Sequence, residues 1–262
     1  VHLASLRFEP IPEALQGAHP FNVPLVRAGA RLDLSAPVTL LVGENGAGKS
    51  TVLETLAVGA ELPAAGTLDV ERDSTLAAAR DLAQFTRLSW HKRTRRGLFL
   101  RAEDFFGFTQ RVARMQQDAE TQLQRIRDED GRLTMRAMPY ASDRAALRRL
   151  YGEGLEGRSH GEGFLAFFEA RFRGEGLYVL DEPEAALSPL RQLTLISLIK
   201  SMVEGGGQFV IATHSPILLA FPDARLLHLS EQGVSEAHYD DLEHVRLMRD
   251  FLTNPAAFLR HL

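Results

Sequence analysis

Three nearly unbroken apolar stretches stand out along the chain: Val38-Thr39-Leu40-Leu41-Val42, Leu177–Leu180 and Phe209–Ala212. Each is too short for an ordinary helix. Each therefore predicts a strand buried on both faces, the kind found in parallel sheets. Ahead of them, Leu3–Phe8, Phe21–Val26 and Arg31–Leu34 alternate in polarity between prolines, glycines and alanines, which predicts short strands and turns. From Lys49 to about Val58 the spacing of Val52, Leu53 and Leu56 predicts a helix with one apolar face. A second helix, Pro189–Val203, separates the last two apolar strands and predicts a βαβ unit.

The middle of the chain is different. Residues 72–150 are rich in Arg, Asp, Glu and Gln, and Arg111–Asp128 contains neither Pro nor Gly, so a polar, solvated helix is expected there. Gly97–Ala102 reads as a strand leading into this region, and Gly163–Phe172 as an amphipathic helix. After Tyr239 an apolar pattern (Val245, Leu247, Phe251, Leu252, Phe258, Leu259) is expected to pack on the core. The organisation expected is an α/β core, residues 1–71 and 175–262, with a mainly parallel sheet and an N-terminal antiparallel β part. A helical insertion, 72–174, interrupts it.

Composition narrows the function. The 262 residues include no cysteine, which removes disulfides, zinc-thiolate sites and thiol nucleophiles. No run of 18 apolar residues predicts a membrane span, and Val1–Pro10 does not read as a secretory signal, so a cytoplasmic location is expected. The net charge of −4 argues against binding nucleic acid through bulk charge, though not against a local patch. Of the 30 basic residues only Lys49, Lys92 and Lys200 are lysines.

Lys49 sits where a lysine is chemically required. Gly43-Glu44-Asn45-Gly46-Ala47-Gly48-Lys49-Ser50-Thr51 follows the apolar strand and opens the helix, and it fits the phosphate-loop pattern G-x-x-x-x-G-K-[ST]. The glycines let backbone N–H groups converge on phosphate oxygens, and the helix N-terminus adds its positive end. Lys49 is then the group for the β- and γ-phosphates, and Ser50 a ligand for Mg²⁺. A second apolar strand ends in Asp181-Glu182, at the carboxyl edge where parallel sheets bind ligands. Asp181 is the second candidate ligand for Mg²⁺ and Glu182 the candidate base for the attacking water. His214 ends the third strand and is placed to contact the γ-phosphate or that water. Ser159-His160-Gly161-Glu162-Gly163, before a predicted helix, forms a second candidate anion site; alone it reads as readily as a helix cap.

The order of these elements resembles the ABC-type ATPases, a branch of the P-loop NTPases, over residues 1–235. Glu184-Ala185-Ala186-Leu187-Ser188-Pro189 looks like that family's D-loop. The chain is most similar to small stand-alone bacterial ATPases with a Ser-His-Gly-Glu signature, and nearer to the chromosome-maintenance and break-repair ATPase heads than to transporter subunits. The resemblance implies an ATP-dependent homodimer. Each ATP would lie between one P-loop and the other copy's Ser159, Gly161 and Glu162, with His214 sensing the γ-phosphate. The segment Arg158-Ser159-His160-Gly161-Glu162 departs from the family's Leu-Ser-Gly-Gly-Gln, and Glu103 and Gln110 are both open as the Q-loop residue. Three other functions stay open: a transporter's ATPase subunit, a nucleotide-binding module without hydrolysis, and a DNA-associated ATPase. For the last, Arg87, His91, Lys92, Arg93, Arg95, Arg96 and Arg101, interleaved with Trp90 and Phe99, fit a phosphate backbone.

Overall fold

The computed structural model describes residues 1–64, 74–132, 134–151, 167–169, 171–172 and 174–260. The first half runs β1 (Leu3–Phe8), α1 (Pro24–Arg27), β2 (Arg31–Asp33), β3 (Val38–Val42), α2 (Lys49–Gly59), α3 (Ala77–Ala83), β4 (Thr86–Trp90), β5 (Gly97–Arg101), α4 (Ala102–Asp130) and α5 (Met138–Tyr151). The second half runs β6 (Gly176–Asp181), α6 (Pro189–Glu204), β7 (Gly207–Ala212), α7 (Pro216–Leu219), β8 (Arg225–Ser230), β9 (Gly233–Ala237), α8 (Glu243–Thr253) and α9 (Pro255–Leu259).

A six-stranded sheet has the order β5-β6-β7-β3-β8-β9, parallel except where β9 pairs with β8. A smaller antiparallel sheet has the order β2-β1-β4. The unbroken apolar strands have a simple cause. Leu41, Leu177, Val179, Val210 and Ala212 join the core shared with α2 and the small sheet. Val38, Leu40, Val42, Tyr178, Leu180, Phe209 and Ile211 join the core on the opposite face. Both faces are covered, so neither can be polar. Residues 167–169 and 171 are helical, and Phe167, Phe168 and Phe172 lie in the second core, with Phe172 stacked on Tyr178 at 4.9 Å.

One side chain ties the two sheets together. Gln208, fully buried in β7, accepts from the backbone N–H groups of His2 (2.8 Å) and Leu3 (2.7 Å). Its amide donates to the carbonyls of Leu3 (2.9 Å), Leu34 (2.5 Å) and Ala36 (3.3 Å). The start of β1 and the end of β2 thus complete their backbone pairing through a side chain.

Three expectations change. Phe21–Val26 is not a strand: Pro24 takes the first position of helix α1, where its missing N–H costs nothing and its fixed φ suits the helix. Segment 72–174 is not wholly an insertion, because β4 pairs with β1 and β5 pairs with β6 in the large sheet. Its long helix α4 begins directly after β5, and α5 returns beside it. Finally, the C-terminal helices do not bury their apolar pattern. Val245 is buried at 2% exposure, but Leu247, Leu252 and Leu259 are 55%, 69% and 57% exposed. Phe251 meets Phe258 edge-on at 5.7 Å instead of meeting the core.

Candidate nucleotide site

The glycine-rich loop joins β3 to α2. Gly48, with φ 93°, precedes the first helical residue, and a Cβ there would sit 2.6 Å from Val23 and 2.7 Å from Leu25. The α1 region is therefore the floor on which the loop rests. At the other end a Cβ on Gly43 would come within 2.3 Å of the Leu229 carbonyl on β8, so no side chain fits. Gly46, at φ 85°, faces open space. Lys49 is 6% exposed and its ammonium donates to the Gly43 carbonyl (2.7 Å) and the Glu44 carbonyl (3.0 Å). Burial lowers its pKa, and the charges of Glu182, Asp181 and Glu184 oppose that shift.

Asp181 ends β6 beside the loop. Burial pushes its carboxyl up to about 6, against a hydrogen bond with Ser50 that favours the ionised form. Its Oδ1 is buried without a hydrogen-bond partner. A buried carboxylate oxygen without a donor is costly unless a cation completes it. Asp181 and Ser50 together offer the hard oxygen ligands that Mg²⁺ prefers.

Glu182 follows with φ 47° and ψ 52°, a left-handed conformation uncommon outside glycine. Its backbone N–H donates to Ala212 O (2.9 Å), which fixes it against β7, while its side chain stays 47% exposed. His214, just past β7, brings Nε2 to 3.8 Å from Glu182 Oε1. The His214 backbone N–H donates to Glu184 Oε1 (2.7 Å), so the turn after β6 and the turn after β7 hold one another. Gln192 extends this network: it donates to Leu187 O (3.1 Å), and the Ser215 hydroxyl bonds its Oε1. The structure thus brings together Lys49, Ser50, Asp181, Glu182 and His214. Ser159, Gly161 and Glu162 lie outside the described residues.

Two further histidines line the same site. A cleft of about 650 Å³ runs from Gly43–Ala47 past His214, His228 and His244 to Leu247. Burial lowers the pKa of His244, helped by His214, His228 and Lys49. No motif marks His228 or His244 in the sequence; only the return of β8 and α8 to the loop places them here.

The structure leaves Arg87, His91, Lys92, Arg93, Arg95 and Arg96 of the basic cluster exposed, and takes Arg101 and the two aromatic residues out of it. Arg101 is 6% exposed, Phe99 is fully buried and Trp90 packs against the core. Lys92 is paired with Glu175 (2.6 Å), and Glu61 takes Arg95 (2.8 Å) and Arg93 (3.6 Å). Among the described residues no helix is long and apolar enough to cross a membrane.

Comparison with known proteins agrees with this geometry. A family model described as "AAA domain, putative AbiEii toxin, Type IV TA system" matches residues 162–220, and a second, "AAA domain", matches residues 15–134. With the loop, the Asp-Glu strand end and the strand-terminal histidine, these matches mark AAA-type ATPase domains in the chain. No curated protein matches it. Among solved structures, the Smc head domain with an extended coiled coil, bound to the C-terminal domain of ScpA and derived from Pyrococcus furiosus, is 13% identical. That match covers 95% of this chain and 99% of the other, with a TM-score of 0.49. The ADP conformation of an ATP-binding cassette of an ABC transporter is 16% identical over 97% and 96% of the two chains (TM-score 0.49). A dimeric bacterial ABC transporter cassette is 15% identical over 89% and 98% (TM-score 0.48). Likenesses this distant say nothing of what this chain binds or assembles with.

Proposed function

We propose that the chain binds Mg·ATP on Gly43–Thr51 and hydrolyses its β–γ phosphoanhydride, as a dimer that closes on nucleotide. The observation that carries the reading is the convergence of a P-loop lysine, an orphaned buried carboxylate and an exposed, left-handed glutamate on one strand edge. The backbone N–H groups of Gly46–Thr51 cradle the phosphates. Lys49 exchanges its two carbonyl contacts for the β- and γ-phosphate oxygens. Ser50 and Asp181 would hold Mg²⁺, which supplies positive charge to the phosphate oxygens. Glu182 accepts a proton from water as the water oxygen bonds to the γ-phosphorus and the bond to the ADP oxygen breaks. His214, held by Glu184, orients Glu182 and the γ-phosphate.

Glu182 and His214 both face solvent in the single chain. A water-excluding cover would strengthen every charge in the site. In this reading the cover is a second copy, whose Ser159, Gly161 and Glu162 meet the γ-phosphate.

Phosphate release from Mg·ATP, followed over a range of protein concentrations, tests both parts. The expected rate per chain rises with concentration. Glu182→Gln is expected to lower turnover by roughly 10²- to 10⁴-fold, and Ser159→Ala to flatten the concentration dependence. Release that is absent at every concentration overturns the hydrolase reading; release that is independent of concentration overturns the dimer.

A further inference from the structure

We propose that the outer face of the small antiparallel sheet is a nucleic-acid binding surface that grips the phosphate backbone through Arg31, Arg7 and Arg87. Arg7 on the central strand β1 is the register partner of Arg31 on β2 and also of Arg87 on β4. All three are exposed. Neighbouring strands lie about 4.8 Å apart, so three guanidinium-bearing side chains stand in a row roughly 10 Å long.

Such a row works against the sheet. Like charges directly opposite one another destabilise strand pairing, and here the central arginine has one on each side. Among the described residues none of the three forms an ion pair, whereas Lys92, Arg93 and Arg95 of the following turn pair with Glu175 and Glu61. The acidic residue nearest in register, Asp33, is bonded to Arg225 (2.6 Å) and to Ser35. Packing does not explain the arginines either, because Leu6, Phe8 and Leu32 fill the core from the opposite face of the same strands. An external polyanion supplies the missing counter-charge.

The surroundings select the kind of polyanion. The other residues on this face are Asp33 and Ser89, both exposed, and Ser5, which is buried between them. A protein partner would need aromatic or aliphatic anchors in a desolvated pocket, and this face offers none. A guanidinium fork matches phosphate oxygens two at a time, and a line of them suits a line of phosphates. No group here reads base edges, so binding is insensitive to sequence and strongly dependent on salt.

The test uses the full chain without nucleotide and fluorescein-labelled oligodeoxynucleotides of about 30 residues, single- and double-stranded, at about 50 to 200 mM salt. The triple variant Arg7→Gln/Arg31→Gln/Arg87→Gln is expected to bind at least tenfold more weakly at about 50 mM salt, and its log K against log salt slope to fall by about 2–3. Lys92→Gln/Arg93→Gln/Arg95→Gln removes as much charge from already paired positions and is expected to keep wild-type affinity. The row variant should also melt at or above the wild-type temperature at low salt, since it relieves repulsion; a row that was merely structural would lower it. The proposal fails if wild type does not bind at about 50 mM salt, if both variants lose affinity equally, or if polyglutamate displaces the protein as well as nucleic acid does. ATP turnover, read separately on the row variant, should be unchanged, which keeps this result distinct from the hydrolase reading.

Discussion

At the level of single residues, Asp181 carries a consequence that can be measured without any activity. Its folded pKa, about 6, lies above the 3.8 of an ordinary aspartate. The folded chain therefore holds that proton more tightly than the unfolded chain does, and stability falls as pH rises through the interval between the two values. The difference corresponds to about 3 kcal/mol. Asp181→Asn is expected to stabilise the nucleotide-free protein at pH 7.5 by an amount of this order and to change little near pH 3.5, as read by denaturant unfolding. The same substitution should abolish any stabilisation by Mg²⁺ with ATP. The lysine and the strand-end carboxylates could be found in the sequence because spacing and order are enough to mark them. His228 and His244 could not, since their relation to the loop exists only after β8 and α8 fold back on it. Gly43 is a second residue with a sharp expectation. Gly43→Ala forces a methyl against the Leu229 carbonyl, so nucleotide binding should be lost in calorimetry while the far-UV spectrum stays largely intact.

Among the elements, those read well from sequence are those whose environment is uniform. β3, β6 and β7 are apolar at nearly every position because helices cover both faces of their sheet. Polar composition predicted α4 for the same reason in reverse. The misreadings have different causes. Phe21–Val26 reads as a strand, but Pro24 starts a helix. β4 lies in a polar stretch, and β5, though legible as a strand, falls in the segment expected to be an insertion; their partners, β1 and β6, are far away in sequence, so no local pattern reveals the pairing. The C-terminal pattern has helical spacing, and spacing alone does not say whether a face is covered. Val245→Ala should therefore cost about 1–3 kcal/mol, whereas Leu252→Ser should stay within about 0.5 kcal/mol; chemical denaturation separates the two. Gln208 deserves the largest figure. Gln208→Leu leaves two N–H groups and up to three carbonyls without their partner and should cost about 3–5 kcal/mol.

For the molecule as a whole, the order of strands in the large sheet has a bearing on how the protein is made. β3, which carries the phosphate loop, lies between β7 and β8 and pairs with nothing else. Its first neighbour begins at Gly207 and its second ends at Ser230. A ribosome delivering the chain from its N-terminus therefore exposes a nearly all-apolar strand with both edges bare until β7 has emerged, and with one edge bare until β8 has. A nascent fragment without β8 has the α1 floor under Gly48 but lacks the Leu229 backbone against which Gly43 packs, so nucleotide has only half of the loop's support to act on. A chain ending at residue 224 should aggregate when expressed alone, and ATP should not rescue it. Adding back residues 225–260 as a separate peptide during refolding should recover soluble protein. The loop that reads as an early landmark in the sequence is thus completed only by strands that lie far behind it in the chain.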